Sequence, residues 1–256
     1  MMPPTSHDRT IVDQFTKQAV PFATAPIHQD GMDLVRSAAR LARVDDVLDV
    51  ACGPGVVACA LAPHARHVTG VDMTPRMIEE AHATASRLAI SNVTWIIGTA
   101  TPLPFPDESF SVVLTRYSFH HFADPATALA EMFRVCRTGG RVVVADLSIP
   151  SPEGLRFDAV EQWRDPSHVH ALAPQELRDL FTAHRVSEFE EAAFGLDIEL
   201  EPQLTRSFPV EGGADRVRRA YADSVGGNTL GIRTRVVNGS LWSTWPVVVM
   251  GATKLA

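Results

Sequence analysis

Lysine is almost absent from this chain. Of 23 basic residues among 256, only Lys17 and Lys254 are lysines, and 30 acidic residues leave a formal charge of −7. No basic run exists. Such a balance does not attract polyanions, which argues against nucleic acid and against anionic membrane surfaces as partners. Long apolar runs are also missing: stretches such as WPVVVM (245–250) fall far short of the ~20 residues a membrane helix needs. The opening MMPPTSHDRT has no apolar core of the kind a secretion signal carries. Cysteine is scarce, with Cys52, Cys59 and Cys136 odd in number and without CxxC spacing. We read them as reduced thiols packed as small hydrophobes, and expect a cytoplasmic protein. There is no repeat, low-complexity tract or long linker.

Short apolar runs alternating with helical patterns are what the chain does contain. VDDVLDVA (44–51), HVTGVDM (67–73), VTWIIGTA (93–100), FSVVLTRY (110–117) and RVVVADL (141–147) read as five strands. Between them, GVVACALAPHA starts a helix, PRMIEEAHATASRLA (75–89) has helical spacing, and ADPATALAEMFRVCR (123–137) reads as a helix stopped by Gly139-Gly140. Uninterrupted apolar strands between helices indicate a parallel sheet covered on both faces, a doubly wound α/β fold. After Asp146 the pattern changes. PQELRDLFTAHR is a helix, HRVSEFEEAAFGLDIE (184–199) has strand character, 202–240 looks helical or irregular, and TWPVVVMGATK (244–254) is a final strand. We expect one domain over 1–256. Its parts are a helical lid or flank (1–43), a core (44–147), insertions (148–183 and 200–243) and the last strand (244–254).

The first strand runs into Asp49-Val-Ala-Cys-Gly53-Pro-Gly55-Val-Val-Ala58. Glycines at a strand-to-helix turn let a ligand approach the backbone beside a helix N-terminus. GPGVVA alone satisfies the dinucleotide pattern G-x-G-x-x-G/A. Asp72 ends the second strand, where a carboxylate can accept from a ribose diol. At this point a nicotinamide-dependent oxidoreductase and an S-adenosylmethionine enzyme both remain open.

The downstream text separates them. With LPFPDESFSVV (103–113), HHFADP (120–125) and ALAEMFRVCRTGGRVVVADL (128–147), the sequence resembles class I S-adenosylmethionine-dependent methyltransferases. It looks most like the group that includes quinone-biosynthesis C-methyltransferases and many small-molecule methyltransferases. The resemblance is strong over 44–147, and weaker over FTKQAVPFATAPIHQDGMDL (15–34) and EQWRDPSHVH (161–170). It implies a seven-stranded, mostly parallel Rossmann-like sheet with an antiparallel last strand, an N-terminal helical lid and a helical insertion after strand five. It implies methyl transfer from S-adenosylmethionine, leaving S-adenosylhomocysteine, to a small-molecule acceptor by C-, O- or N-methylation. A relative with lost or altered transfer chemistry is the alternative within that fold. A homodimer is compatible with it.

The resemblance also assigns residues. Gly53 and Gly55 shape the turn under the methionine half of the cofactor, with Ala51 in the same loop. Asp49 organises that loop and the cofactor's amino group, unless it is only a strand-end carboxylate held by loop amides. Asp72 takes the ribose hydroxyls. Met73 lies against adenine, with Met77 either its neighbour or helix core. Thr99 and Ala100 stand where relatives usually read G-D-A, so the adenine amine would meet a hydroxyl in place of a carboxylate. That loss of charge assistance is worth on the order of 1 kcal/mol. Arg116 is a candidate for the cofactor carboxylate or pocket, or else for an ion pair with Asp124 or Asp165. HH and DP close strand four and open the next helix at the sheet edge where ligands bind. His121, or else His120, is the candidate base. Adjacent side chains diverge, so we expect at most one of them to face the pocket. Phe15, Phe22, Arg164, Asp165, His168 and His170 are expected on the acceptor side, with ordinary inter-helix packing as the alternative. His168, His170 and Asp165 could join the histidine pair around a metal, but the spacing does not require one and none is expected.

Overall fold

The structure is a computed structural model and describes residues 5–24 and 30–256. Residues 1–4 of the opening segment, and 25–29 within the similar stretch 15–34, lie outside the described residues. In chain order the elements are α1 (Ser6–Ala23), α2 (Met32–Ala39), β1 (Asp46–Val50), α3 (Val56–Leu61), β2 (His67–Asp72), α4 (Pro75–Arg87), β3 (Val93–Ile97), β4 (Phe110–Arg116) and α5 (Pro125–Val135). Then follow β5 (Cys136–Leu147), α6 (Glu153–Arg164), α7 (Pro174–Thr182), β6 (Val186–Glu199), α8 (Leu200–Ser207), α9 (Gly213–Asp223), β7 (Arg235–Val237) and β8 (Ser240–Lys254).

The sheet order is β3-β2-β1-β4-β5-β8-β6, with short β7 paired to β8. Strands β1 to β5 pair in parallel, while β8 runs antiparallel between β5 and β6. The mostly parallel, doubly wound expectation and its antiparallel last strand hold, and β7 adds a short eighth strand. The sheet is open, not a barrel. Alternation along the strands puts Val113, Val142 and Val144 against α5 and α7 on one face. Val112, Leu114, Val143 and Ala145 pack with α2 and α3 on the other. Each fully buried side chain of this kind stabilises the fold by about 1.5–3 kcal/mol. A third cluster sits over the carboxyl edge, where Phe157 of α6, Val217 and Tyr221 of α9, and Leu196 and Ile198 of β6 meet Trp245.

One boundary differs from the sequence reading. Helix α5 ends at Val135, short of the glycines, because Cys136 pairs with Phe110 across a register shift in β4. At the chain's beginning, Thr5 and Asp8 cap α1 reciprocally: Thr5 Oγ1 accepts from the Asp8 N–H at 3.1 Å and Asp8 Oδ2 accepts from the Thr5 N–H at 2.7 Å. No helix among the described residues is long and apolar enough to cross a membrane.

Gly55 shows how the glycine loop is set. It lies at φ 73°, and a Cβ there would come within 2.5 Å of the Trp95 ring and 3.0 Å of the Ala81 Cβ. Gly139, at φ 78°, has open space around it. Gly55→Ala is therefore expected to cost about 2–4 kcal/mol in urea denaturation, from backbone strain plus overpacking. Gly139→Ala should lose only the backbone part, about 1–2 kcal/mol. Equal losses would show that the Trp95 contact does not constrain the loop.

Candidate active site

The glycine loop is fastened to the end of β2 by one carboxylate. Asp72 Oδ2 accepts from the Gly53 N–H at 2.9 Å and Oδ1 from the Thr74 N–H at 2.8 Å. Burial raises its pKa, against the pull of the two amides. Gly53 differs from Gly55. At φ 51°, a Cβ on it would meet only the Met77 sulfur, 4.0 Å away. Gly53 thus leaves backbone open for close approach, whereas Gly55 serves packing. Ala51 also has positive φ, 55°, as does Tyr117 at 57°, so the ends of β1 and β4 both carry strained non-glycine residues.

Asp49 is buried and its Oδ2 has no hydrogen-bond partner. Desolvation, and then repulsion from Asp72, push its carboxyl up to about 8 although the Ala58 amide pulls it down. A buried acceptor in that condition is incomplete without a donor. Thr99, half-buried after β3, donates its hydroxyl to the Pro102 carbonyl at 3.0 Å, so its oxygen can still accept. Met77 is fully buried in α4. Met73 follows Asp72 at the same strand end, and Ala100 packs beside the core behind β3. Arg116 pairs with neither Asp124 nor Asp165. It donates to the Asp30 carbonyl and to the Tyr117 hydroxyl at 3.1 Å, and stacks over the Tyr117 ring at 4.4 Å.

Beyond β4, Phe119–His121 form a single 3₁₀ turn, closed by Asp124 capping α5 through the Thr127 N–H at 3.0 Å. The expectation that the two histidines diverge is overturned. The tight turn brings both rings to the same cavity, with centroids 4.2 Å apart. Their environments differ. Asp146, at the end of β5, accepts from His120 Nδ1 at 2.5 Å and also from the Phe119 and Leu147 N–H groups. Burial opposes charge on His120, but the Asp146 carboxylate outweighs it and holds the imidazolium above the ordinary range. His121 is held well below that range, by burial and then by the charge of His120. Its Nδ1 donates to the Ser167 carbonyl at 3.1 Å, and the Ser167 hydroxyl donates in turn to Asp165. That bond selects the tautomer with a lone pair on Nε2, which has no hydrogen-bond partner among the described residues.

Phe15, Phe22, Arg164 and Asp165 line the same cavity. His168 and His170 do not; both bind Asp158, at 2.7 and 2.6 Å, beneath the wall. Among the described residues no three His, Cys, Asp or Glu side chains are grouped to hold a metal ion. Sequence reasoning missed Asp146, Gln18, Gln203, Arg206 and the cavity wall from β6 and β8. Asp146 alone carried a signal, a charge inside an apolar strand. Gln18 Nε2 reaches Asp165 at 3.1 Å and so ties α1 to the cavity wall.

Comparison with known proteins agrees with this geometry. Residues 48–144 match the methyltransferase domain family. The uncharacterized methyltransferase YcgJ of Bacillus subtilis (strain 168) is 32% identical over 196 residues, which is 75% of this chain and 78% of that one. The chain belongs to the methyltransferase family. The crystal structure of YcgJ superposes with a TM-score of 0.81 at 25% identity, covering 90% of this chain and all of that one (100%). BH2331 of Bacillus halodurans C-125 gives 0.78 at 25% identity, covering 89% and 100%. A demethylmenaquinone methyltransferase of Deinococcus radiodurans is 40% identical over 116 residues, 44% of this chain and 47% of that one. The fold of this methyltransferase family implies S-adenosylmethionine as cofactor, and the orphaned Asp49 oxygen and the open backbone at Gly53 fit it.

Proposed function

We propose that the chain transfers a methyl group from S-adenosylmethionine to a small-molecule acceptor bound in the cavity beyond β4 and β5. The orphaned, buried Asp49 beside the bridged Asp72 carries this reading. Asp49 would take the amino group of the methionine half, whose positive charge would draw its carboxyl back to the ionised form. Asp72 has lone pairs left for the ribose hydroxyls, Thr99 accepts from the adenine amine, and Gly53 admits the methionine half against the backbone. When bound, the cofactor supplies an electrophilic methyl group on a sulfonium.

The chain's own residues then orient the acceptor and exclude water. Phe15 of α1 packs edge-on against His121, with centroids 5.0 Å apart, and helps shut the cavity from solvent. His121, whose charged form is disfavoured and whose Nε2 has no partner among the described residues, can take the acceptor's proton. His120, tied to Asp146, holds the turn. The two environments push the pKa values of two adjacent histidines apart, an arrangement suited to acid–base work. A nicotinamide enzyme is the poorer fit, since the family match covers the glycine loop and the strands that follow it.

Calorimetry separates the cofactors: S-adenosylmethionine and S-adenosylhomocysteine should bind and NAD should not. Asp72→Ala should weaken S-adenosylhomocysteine by roughly 1–3 kcal/mol, because the ribose loses a charged acceptor. Tight NAD binding alone would overturn the assignment.

His121→Ala should lower turnover at saturating acceptor by about 10²–10⁴-fold while leaving cofactor affinity nearly unchanged. His121 is depressed in the folded protein, so its neutral form persists as the pH drops through the ordinary histidine range near 6.5. The acid limb of the pH–rate profile should therefore lie below that value in the wild type and vanish in the variant. Unchanged turnover would leave the histidines as packing and catalysis to proximity.

A further inference from the structure

Among the described residues, the acceptor cavity has one charge that nothing answers. Its wall is apolar over Phe15, Phe22, Leu147, Leu196, Ile198 and Trp245. The other ionised groups on it are engaged. Arg164 donates to Glu161, at 2.5 Å from Nε. Asp165 accepts from Gln18 and Ser167. His120 is tied to Asp146. Arg206, in the last turn of α8, is half-buried and lines the same cavity, and its guanidinium has no hydrogen bond or ion pair with any described residue. Gln203, one turn earlier and only 5% exposed, also lines the cavity, and its Oε1 is a buried oxygen without a partner.

We infer that the acceptor carries a carboxylate on an apolar body, the carboxylate pairing with Arg206 and a neighbouring polar group meeting Gln203. This rests on the methyltransferase reading of the same cavity. A guanidinium fork binds a carboxylate bidentately, and a partly desolvated charge gains more from such a pair than an exposed one. Burial, and then repulsion from Arg164, hold the Arg206 guanidinium below its usual range, as expected of a cation awaiting its counter-charge. A phosphate dianion would call for a second uncommitted cation, and Arg164 is already held by Glu161. A basic residue in a last helical turn also offsets the helix dipole. That role does not require it to face a cavity, and the test distinguishes the two.

Cinnamate and decanoate, each paired with its primary amide, serve as probes of the full chain in the presence of S-adenosylhomocysteine, read by calorimetry. Each acid should bind about tenfold or more tightly than its amide. Arg206→Met should erase that preference, Arg206→Lys should keep part of it, and thermal melts should show both variants folded. Amides binding as tightly as acids, no acid binding at millimolar concentration, or a preference that survives Arg206→Met would each overturn the inference. S-adenosylhomocysteine affinity, measured in separate titrations without the probes, should not change in either variant. Its absence in the wild type would overturn the cofactor assignment separately, since the preference for acids can be read without it.

Discussion

Two backbone N–H groups converge on the buried carboxylate of Asp72, and the candidate site depends on that convergence. One comes from Gly53 in the loop after β1 and the other from Thr74 at the start of α4. The bridge fixes the glycine loop relative to the second strand at the open backbone of Gly53, within electrostatic reach of the buried Asp49. Loss of the carboxylate would remove the tether that shapes the loop. Burial of a charge is costly unless its hydrogen bonds are met. Here two are met by the chain, and a ribose diol could supply the rest.

Asp146 repeats the device on the acceptor side. It gathers the Phe119 and Leu147 amides and His120 Nδ1 at the end of β5. That ties the turn after β4 to the neighbouring strand and raises the pKa of one histidine, while burial and its neighbour's charge lower that of the other. Helix α1 completes the enclosure from outside the core through Gln14, which donates to the Ser207 carbonyl, and Gln18, which donates to Asp165. Carboxylates at strand ends thus organise both halves of the site, and the parallel sheet brings those ends to one edge.

Much of this was legible in the sequence, and the remainder was not for identifiable reasons. Apolar strands alternating with helices gave the parallel sheet, because period and length are local properties. Gly53 and Asp72 drew attention because a strand-to-helix turn with these residue types is a local pattern, and the structure joins the two by a hydrogen bond. The paired placement of His120 and His121 was misjudged, because alternation applies to extended chain and the segment is a 3₁₀ turn. His168 and His170 look like site residues by type, yet Asp158 claims both. Arg206 and Gln203 could not be found at all. Their helix reaches the cavity only through the long β6–β8 pairing, and no local pattern reports a contact over that separation.

The most direct test of the cofactor site is a crystal structure of the full chain with S-adenosylhomocysteine. The expected result places the ribose hydroxyls on Asp72, the amino group on Asp49, the adenine amine at Thr99, and the sulfur facing the cavity lined by His121. Density for the ligand elsewhere, or an Asp49 oxygen still without a partner in the occupied site, would contradict the account.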